Sequence, residues 1–199
     1  TNILQRTREK GLNTLMITST LPGEGKTLTS INMALALAKE FNQTVLLVDC
    51  DLKQQRVHKY LGFSSDTGLI DYFQNGHMLK ELITWPGVDK FTLISGGKTV
   101  NDSSEYLGSP KMRELVNELK NRYRDRYVIF DVPPVLAGAD AITLAPLVDS
   151  ILMVVEAGRT SINDVKKALE LIPQKKFLGF VLNRHNSKLS KYVYEYNPQ

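Results

Sequence analysis

Thr20-Leu21-Pro22-Gly23-Glu24-Gly25-Lys26-Thr27 decides how the rest of this 199-residue chain is read. An apolar, β-prone run, Leu15-Met16-Ile17-Thr18, leads into it, and a helical pattern from Leu28 to Phe41 leaves it. A strand feeding a glycine turn feeding a helix is the context that a phosphate loop requires. Gly23 and Gly25 let the backbone curl until several N–H groups face one anion, and the helix N-terminus adds its partial positive charge. In that arrangement Gly23, Glu24, Gly25, Lys26, Thr27 and Leu28 are the expected nucleotide-binding residues. Lys26 places a full positive charge on the β- and γ-phosphates, and the Thr27 hydroxyl holds Mg²⁺. Thr20 stands where the usual pattern begins with glycine. A turn using glycine for geometry alone would explain Gly23 and Gly25, but not the Gly-Lys-Thr that opens the helix.

Outward from the loop, apolar runs alternate with helical patterns. Strands are expected at Leu15–Ser19, Thr44–Val48, Phe91–Ser95, Tyr127–Phe130, Ser150–Val155 and Phe177–Leu182. The clearest helical patterns are Thr27–Phe41, Pro110–Arg122, Ala139–Ala145 and Ile162–Ile172, with a short helix around Leu69–Phe73. Gly62–Gly68, Asn75-Gly76 and Asn101–Pro110 read as loops, and Thr1–Asn13 as the end of a helix entering the first strand. Short, nearly continuous apolar strands separated by helices predict an α/β fold: a doubly wound, mainly parallel sheet with helices on both faces. In such sheets ligands bind beyond the carboxyl ends of the strands. Polar residues should therefore come directly after the strands, and they do. Val45-Leu46-Leu47-Val48 ends in Asp49-Cys50-Asp51, Val128-Ile129-Phe130 ends in Asp131, and Phe180-Val181-Leu182 ends in Asn183. Alternation puts Asp49 and Asp51 on one side, with Cys50 opposite. Carboxylates at neighbouring strand ends can hold Mg²⁺, and one can accept the proton of an attacking hydroxyl.

Composition narrows the partners. Net charge is +4, from 25 Lys and Arg against 21 Asp and Glu, with no long basic run, so nucleic acid is not an expected partner. Lys175, Lys176, Arg184, Lys188 and Lys191 gather near the end and read as a solvated surface. The single cysteine, Cys50, excludes an intramolecular disulfide and points to a reducing, cytosolic compartment. Between two aspartates it reads as a buried thiol rather than a nucleophile. No apolar run is long enough to span a bilayer. His58, His77 and His185 show no metal-ligand spacing. The chain begins at Thr1 and reads as a piece of something longer.

Taken together, these motifs resemble the bacterial tyrosine kinases of capsule and exopolysaccharide synthesis, relatives of the deviant-Walker P-loop ATPases. Thr20–Thr27 is similar to their Walker A motif, Leu46–Asp51 to their Walker A′, and Val128–Asp131 with Pro133-Pro134 to their Walker B. Asp51-Leu52-Lys53, His58 and Gly68-Leu69-Ile70 match the connecting segment, with lysine in place of the usual arginine. Ser103–Ser109 with Met112, and Asp140–Thr160 with Val148-Asp149 and Gly158-Arg159-Thr160, also look like family segments. Two departures stand out. The family's Glu-x-x-Arg-x-x-Arg oligomerisation motif is not visible, and Thr1-Asn2-Ile3 looks like the stretch directly after that motif. The terminal tyrosine cluster is short, with Tyr192, Tyr194 and Tyr196.

The resemblance implies a kinase domain over residues 1–190 and a mobile tyrosine-rich tail over 191–199. It implies that ATP with Mg²⁺ donates a γ-phosphoryl group to Tyr192, Tyr194 or Tyr196 of another copy in a homo-oligomer. Lys26, Asp49, Asp51 and Asp131 are the expected catalytic residues, with Asp49 or Asp51 as base. Thr27, Asp49 and Asp131 are the expected metal set, and Asn183 looks like the residue that related ATPases use near adenine. A membrane co-polymerase, fused or separate, is the expected partner, holding the domain at the cytoplasmic face of the cell membrane. Two other classes remain open. A partitioning or septum-site ATPase switch would carry a lysine where Leu21 stands. A regulatory ATP-binding module would use the same residues without transferring phosphate.

Overall fold

The computed structural model describes Thr7 and residues 10–41, 43–123 and 125–185. Seven strands among them form one sheet: β1 (Thr14–Ser19), β2 (Thr44–Asp49), β3 (Ile83–Thr84), β4 (Phe91–Ile94), β5 (Arg126–Asp131), β6 (Ser150–Glu156) and β7 (Phe177–Asn183). Their order is β3-β4-β2-β5-β1-β6-β7, and all neighbours run parallel except the short β3, which is antiparallel to β4. The six expected strands are therefore present, with β2 and β5 each extended to include its terminal aspartate. Pairing of Asp49 with Asp131 across these two strands is what carries the ladder that far.

Period-two alternation divides the core between the faces of the sheet. Leu15, Ile17, Val45, Leu47, Ile129 and Val154 pack against α1 (Lys26–Ala38) through Ile31, Ala34, Leu37 and Ala38. Met16, Leu46, Val48, Val128, Phe130 and Met153 face the other way. They meet Leu115, Val116 and Leu119 of a long helix and Leu144 of a one-turn helix. Each fully buried aliphatic side chain contributes about 1.5–3 kcal/mol, so this apolar face holds α1 in place without help from its threonine-rich first turns.

After α1 come the helices α2 (Val57–Leu61), α3 (Leu69–Gln74), α4 (Leu79–Leu82), α5 (Ser103–Leu107), α6 (Pro110–Arg122), α7 (Asp140–Leu144) and α8 (Ile162–Glu170). α6 coincides with its predicted span; Ser109 caps it by accepting from the Met112 N–H, and Pro110 opens it. α5 lies inside Asn101–Pro110, a stretch whose sequence reads as a turn-rich connection. Its single turn is held by tertiary packing of Leu107 rather than by a side-chain cap. Most of Thr1–Asn13 and the whole tail with Tyr192, Tyr194 and Tyr196 lie outside the described residues. Among the described residues, no helix is long and apolar enough to cross a membrane.

Candidate active site

The loop between β1 and α1 sits at the carboxyl end of β1, which lies between β5 and β6 in the sheet. Gly25 is the N-cap of α1, at φ 92°, and no side chain caps the helix there. The first-turn N–H groups are thus left for an external acceptor, which is the condition for anion binding at a helix N-terminus. Gly23 also has a positive φ, 86°. Gly25 is required twice over. A Cβ there would stand 2.1 Å from Asn183 Nδ2, which donates to the Glu24 carbonyl at 2.8 Å.

Thr20 occupies its position without strain on the loop. It is fully buried, its N–H reaches the Val154 carbonyl, and its carbonyl accepts from the Leu136 N–H. Glu24 turns inward. One carboxylate oxygen accepts the Leu21 N–H at 2.8 Å, and the other accepts the Thr160 hydroxyl. Its side chain braces the loop from below, so its contribution to a nucleotide site is through the backbone. Asn183 has a similar bracing contact, and Arg184, next along, lines the cavity.

Lys26 lies at the centre of the acidic strand ends. Its ammonium is 2.8 Å from Asp51 Oδ2, 3.7 Å from Asp131 Oδ2 and 3.3 Å from the Thr27 hydroxyl. Burial by itself lowers the pKa of this ammonium, but the charges of Asp131 and Asp51 outweigh it and the net shift is upward. Asp131 accepts from Ser30 Oγ at 2.9 Å through one oxygen, while its buried Oδ2 has no hydrogen-bond donor. Burial raises the Asp131 carboxyl above the ordinary range, opposed chiefly by Lys26. Asp49 is completely buried, and its two oxygens accept the N–H groups of Asp51 (3.1 Å) and Val57 (3.2 Å). Burial first, and then the neighbouring Asp131, push the Asp49 carboxyl up to about 8. Asp51 is the carboxylate of the A′ pair that lines the cavity. Cys50 is fully buried, and burial followed by the surrounding aspartates drives its thiol well above the normal range.

Lys26, Thr27 and Asp51 open onto a cavity of about 340 Å³ that Leu28, Arg56, Tyr60 and Arg184 also line, whereas the buried Asp49, Asp131 and Cys50, and Asn183, do not line it. A larger cleft, about 590 Å³, lies at the other end of the sheet beside Asn13, Lys120 and Arg126 and contains none of the loop residues. Among the described residues, no group of three or more His, Cys, Asp or Glu side chains could hold a metal ion. A divalent ion here would therefore depend on phosphate oxygens and water as well as protein. Asp131, whose buried Oδ2 has no hydrogen-bond donor and lies 3.7 Å from the Lys26 ammonium, and whose carboxyl also interacts with the Thr27 hydroxyl, suits a hard cation of that kind.

Sequence reasoning missed several supports of this site. It places Arg184 and Lys176 on a solvated basic surface. Arg184 is exposed as that reading expects, but it also pairs with Glu156 at 3.1 Å on the cavity rim, while Lys176, at the opposite end of the sheet, donates to the Pro146 and Val148 carbonyls. Arg159 shares the same Glu156 oxygen. Lys53 forms an ion pair with buried Asp140. Long-range partners of this kind leave no local periodicity to read.

A parallel α/β sheet with a glycine loop, its lysine and strand-end carboxylates at one edge defines a P-loop nucleotide-binding protein. Comparison with known proteins narrows the class. Residues 13–187 match the model of the AAA domain family. The tyrosine-protein kinase YwqD of Bacillus subtilis is 32% identical over 98% of this chain and 82% of its own length. The chain belongs to the bacterial tyrosine-protein kinases, within the AAA domain family. Among solved structures, the VpsO kinase domain shares 32% identity with a TM-score of 0.83, covering 92% of this chain and 90% of that one. The chimerical protein CapA2B2 shares 28% identity with a TM-score of 0.79, over 87% and 76%. The putative tyrosine-protein kinase EpsB of Ralstonia nicotianae is much longer; the match covers 94% of this chain but 25% of that protein, at 28% identity.

Proposed function

We propose that this chain is an ATP-dependent tyrosine autokinase of capsular or exopolysaccharide synthesis that phosphorylates Tyr192, Tyr194 and Tyr196 of another copy. The observation that carries the reading is the convergence of Lys26 with Asp51 and Asp131 beneath the phosphate loop. ATP phosphates entering the loop meet the free N–H groups at the start of α1 and draw the Lys26 ammonium away from Asp51. That movement frees the Asp51 carboxylate on the cavity wall. Asp51 then takes the proton of an incoming tyrosine hydroxyl; the phenolic oxygen bonds to the γ-phosphorus as the bond to the β–γ bridging oxygen breaks, and ADP leaves. Asp49, with both oxygens committed to backbone N–H groups, is the poorer base and the better anchor for the A′ loop.

Thr27 and Asp131, with Asp49 behind them, would hold Mg²⁺ directly or through water. The ion would supply charge neutralisation on the transferring phosphate. Arg56 and Tyr60 on the rim leave an approach for a tyrosine peptide beside Asp51. Leu21, rather than a second lysine, counts against a septum-site type of ATPase switch. The length of EpsB and the chimeric make-up of CapA2B2 support a membrane co-polymerase as partner, fused in some relatives and separate in others. Such a partner would hold the domain at the cytoplasmic face of the membrane.

Mixing tests both the acceptor and the trans geometry. A chain truncated after residue 190 supplies intact catalytic residues, and full-length Lys26→Met supplies only acceptors. Phosphotyrosine on the Lys26→Met copy supports transfer between molecules. Its absence, when the unaltered chain phosphorylates itself, refutes the trans reading. ATP binding with no transfer in any mixture would favour a regulatory nucleotide-binding module.

A further inference from the structure

Asp140 is buried (2% exposed) yet takes no part in the proton or phosphoryl transfer assigned to the loop and strand ends. One of its oxygens accepts the Ser103 hydroxyl, and the other lies 3.2 Å from the Lys53 ammonium. Lys53 comes two residues after Asp51, and Asp140 lies on the segment that leaves Asp131. The ion pair therefore ties together the loops that carry the two carboxylates nearest Lys26. Neither Lys53 nor Asp140 lines the nucleotide cavity, so neither can act by touching phosphate.

We propose that Asp140 is a positioning residue for phosphoryl transfer, holding the 51–54 turn through Lys53 so that Asp51 keeps its place when Lys26 moves to the phosphates. The inference rests on the kinase reading. Before nucleotide enters, the Asp51 carboxylate has two tethers: the Lys26 ammonium and the Gln54 N–H at 3.0 Å. Once Lys26 departs, the turn itself is what keeps Asp51 in place. Asp49 holds the two ends of that stretch through the Asp51 and Val57 N–H groups, and between them the turn is fastened by the Lys53–Asp140 pair and by the Val100 N–H on the Leu52 carbonyl. A carboxylate buried as deeply as Asp140 requires both its partners, which is why Ser103 and Lys53 converge on it.

The test uses the full chain with Asp140→Asn and, because Lys53 is partly exposed and its loss is easier to tolerate, Lys53→Met. Either change should lower kcat for ADP release and for phosphotyrosine formation by about tenfold, with KM for ATP within about twofold, as expected when a reacting group is misplaced but binding is intact. The double variant should be no slower than the slower single. Amide exchange over residues 50–56 in the nucleotide-free chain should quicken in both singles. Unchanged exchange there, or additive losses in which KM and melting temperature move together with kcat, would overturn the proposal and leave a purely structural ion pair. Formation of ADP without phosphotyrosine by the unaltered chain would sink the kinase reading instead, while ADP release and exchange still judge Asp140.

Discussion

Replacing Gly25 with alanine isolates the geometry on which the phosphate loop depends. At φ 92° an L-residue is strained, a cost of about 1–3 kcal/mol. The added methyl group would also stand 2.1 Å from Asn183 Nδ2, where no Cβ can remain. Asn183 must then give up its 2.8 Å hydrogen bond to the Glu24 carbonyl, worth about 1 kcal/mol net. The sum, about 2–4 kcal/mol, corresponds to a fall in melting temperature of about 4–16 °C for a domain of this size. ATP affinity should fall further than stability alone requires, because the N–H groups that cradle the phosphates are displaced. Asn183→Ala separates the two components: it removes the hydrogen bond without strain and should cost about 1 kcal/mol. In the double variant the methyl group has room, so destabilisation should be smaller than the sum of the singles. Thermal melts and nucleotide titration by calorimetry give all four corners of the cycle. A Gly25→Ala chain with unchanged melting temperature and unchanged ATP affinity would refute the reasoning.

Asp149 links stability to pH. It is partly buried, which opposes its charge, but Lys120, the Thr14 hydroxyl and the N–H groups of Thr14 and Asn13 overcome this and lower its pKa below the ordinary 3.8. A depressed carboxylate stabilises the fold above its unfolded pKa and loses that contribution as pH falls through the folded one. Acid unfolding should therefore be shallower below pH 4 in Asp149→Asn, which should also be less stable than the unaltered chain at neutral pH; parallel pH profiles would contradict this. Cys50 should resist an aromatic disulfide reagent at pH 8 until the chain unfolds, since burial and its aspartate neighbours suppress the thiolate. Rapid labelling of the native chain would refute its placement. Thr160→Val removes the hydroxyl that holds Glu24 under the loop, and should weaken ATP binding by about 3–10-fold, judged by nucleotide titration. Unchanged affinity would show that Leu21 alone suffices to hold Glu24.

How much of the fold and site was legible in the sequence depends on how local each signal is. The strand, the glycine turn and the lysine lie within a short span, and the aspartates close apolar runs, so β1, α1 and the A′ and B carboxylates could be found by pattern. Two short helices, α3 and α7, could be found the same way, but α2, α4, α5 and β3 could not. α2 begins where the Val57 N–H meets Asp49, and α5 is held by Leu107 packed into the core. These partners come together only through the fold. The inward turn of Glu24 is equally invisible, because it depends on Thr160 on the far side of the loop. Nor could composition distinguish Lys176, spent on two carbonyls, from a lysine in solvent.

The most direct test of the central claim is intact-mass analysis of the chain after incubation with ATP and Mg²⁺, beside Lys26→Met, with peptide mapping of the product. The Lys26 centre between Asp51 and Asp131 predicts phosphate additions on Tyr192, Tyr194 or Tyr196 in the unaltered chain and none in Lys26→Met. Phosphotyrosine that persists in Lys26→Met, or release of inorganic phosphate with no added mass on either chain, would contradict it.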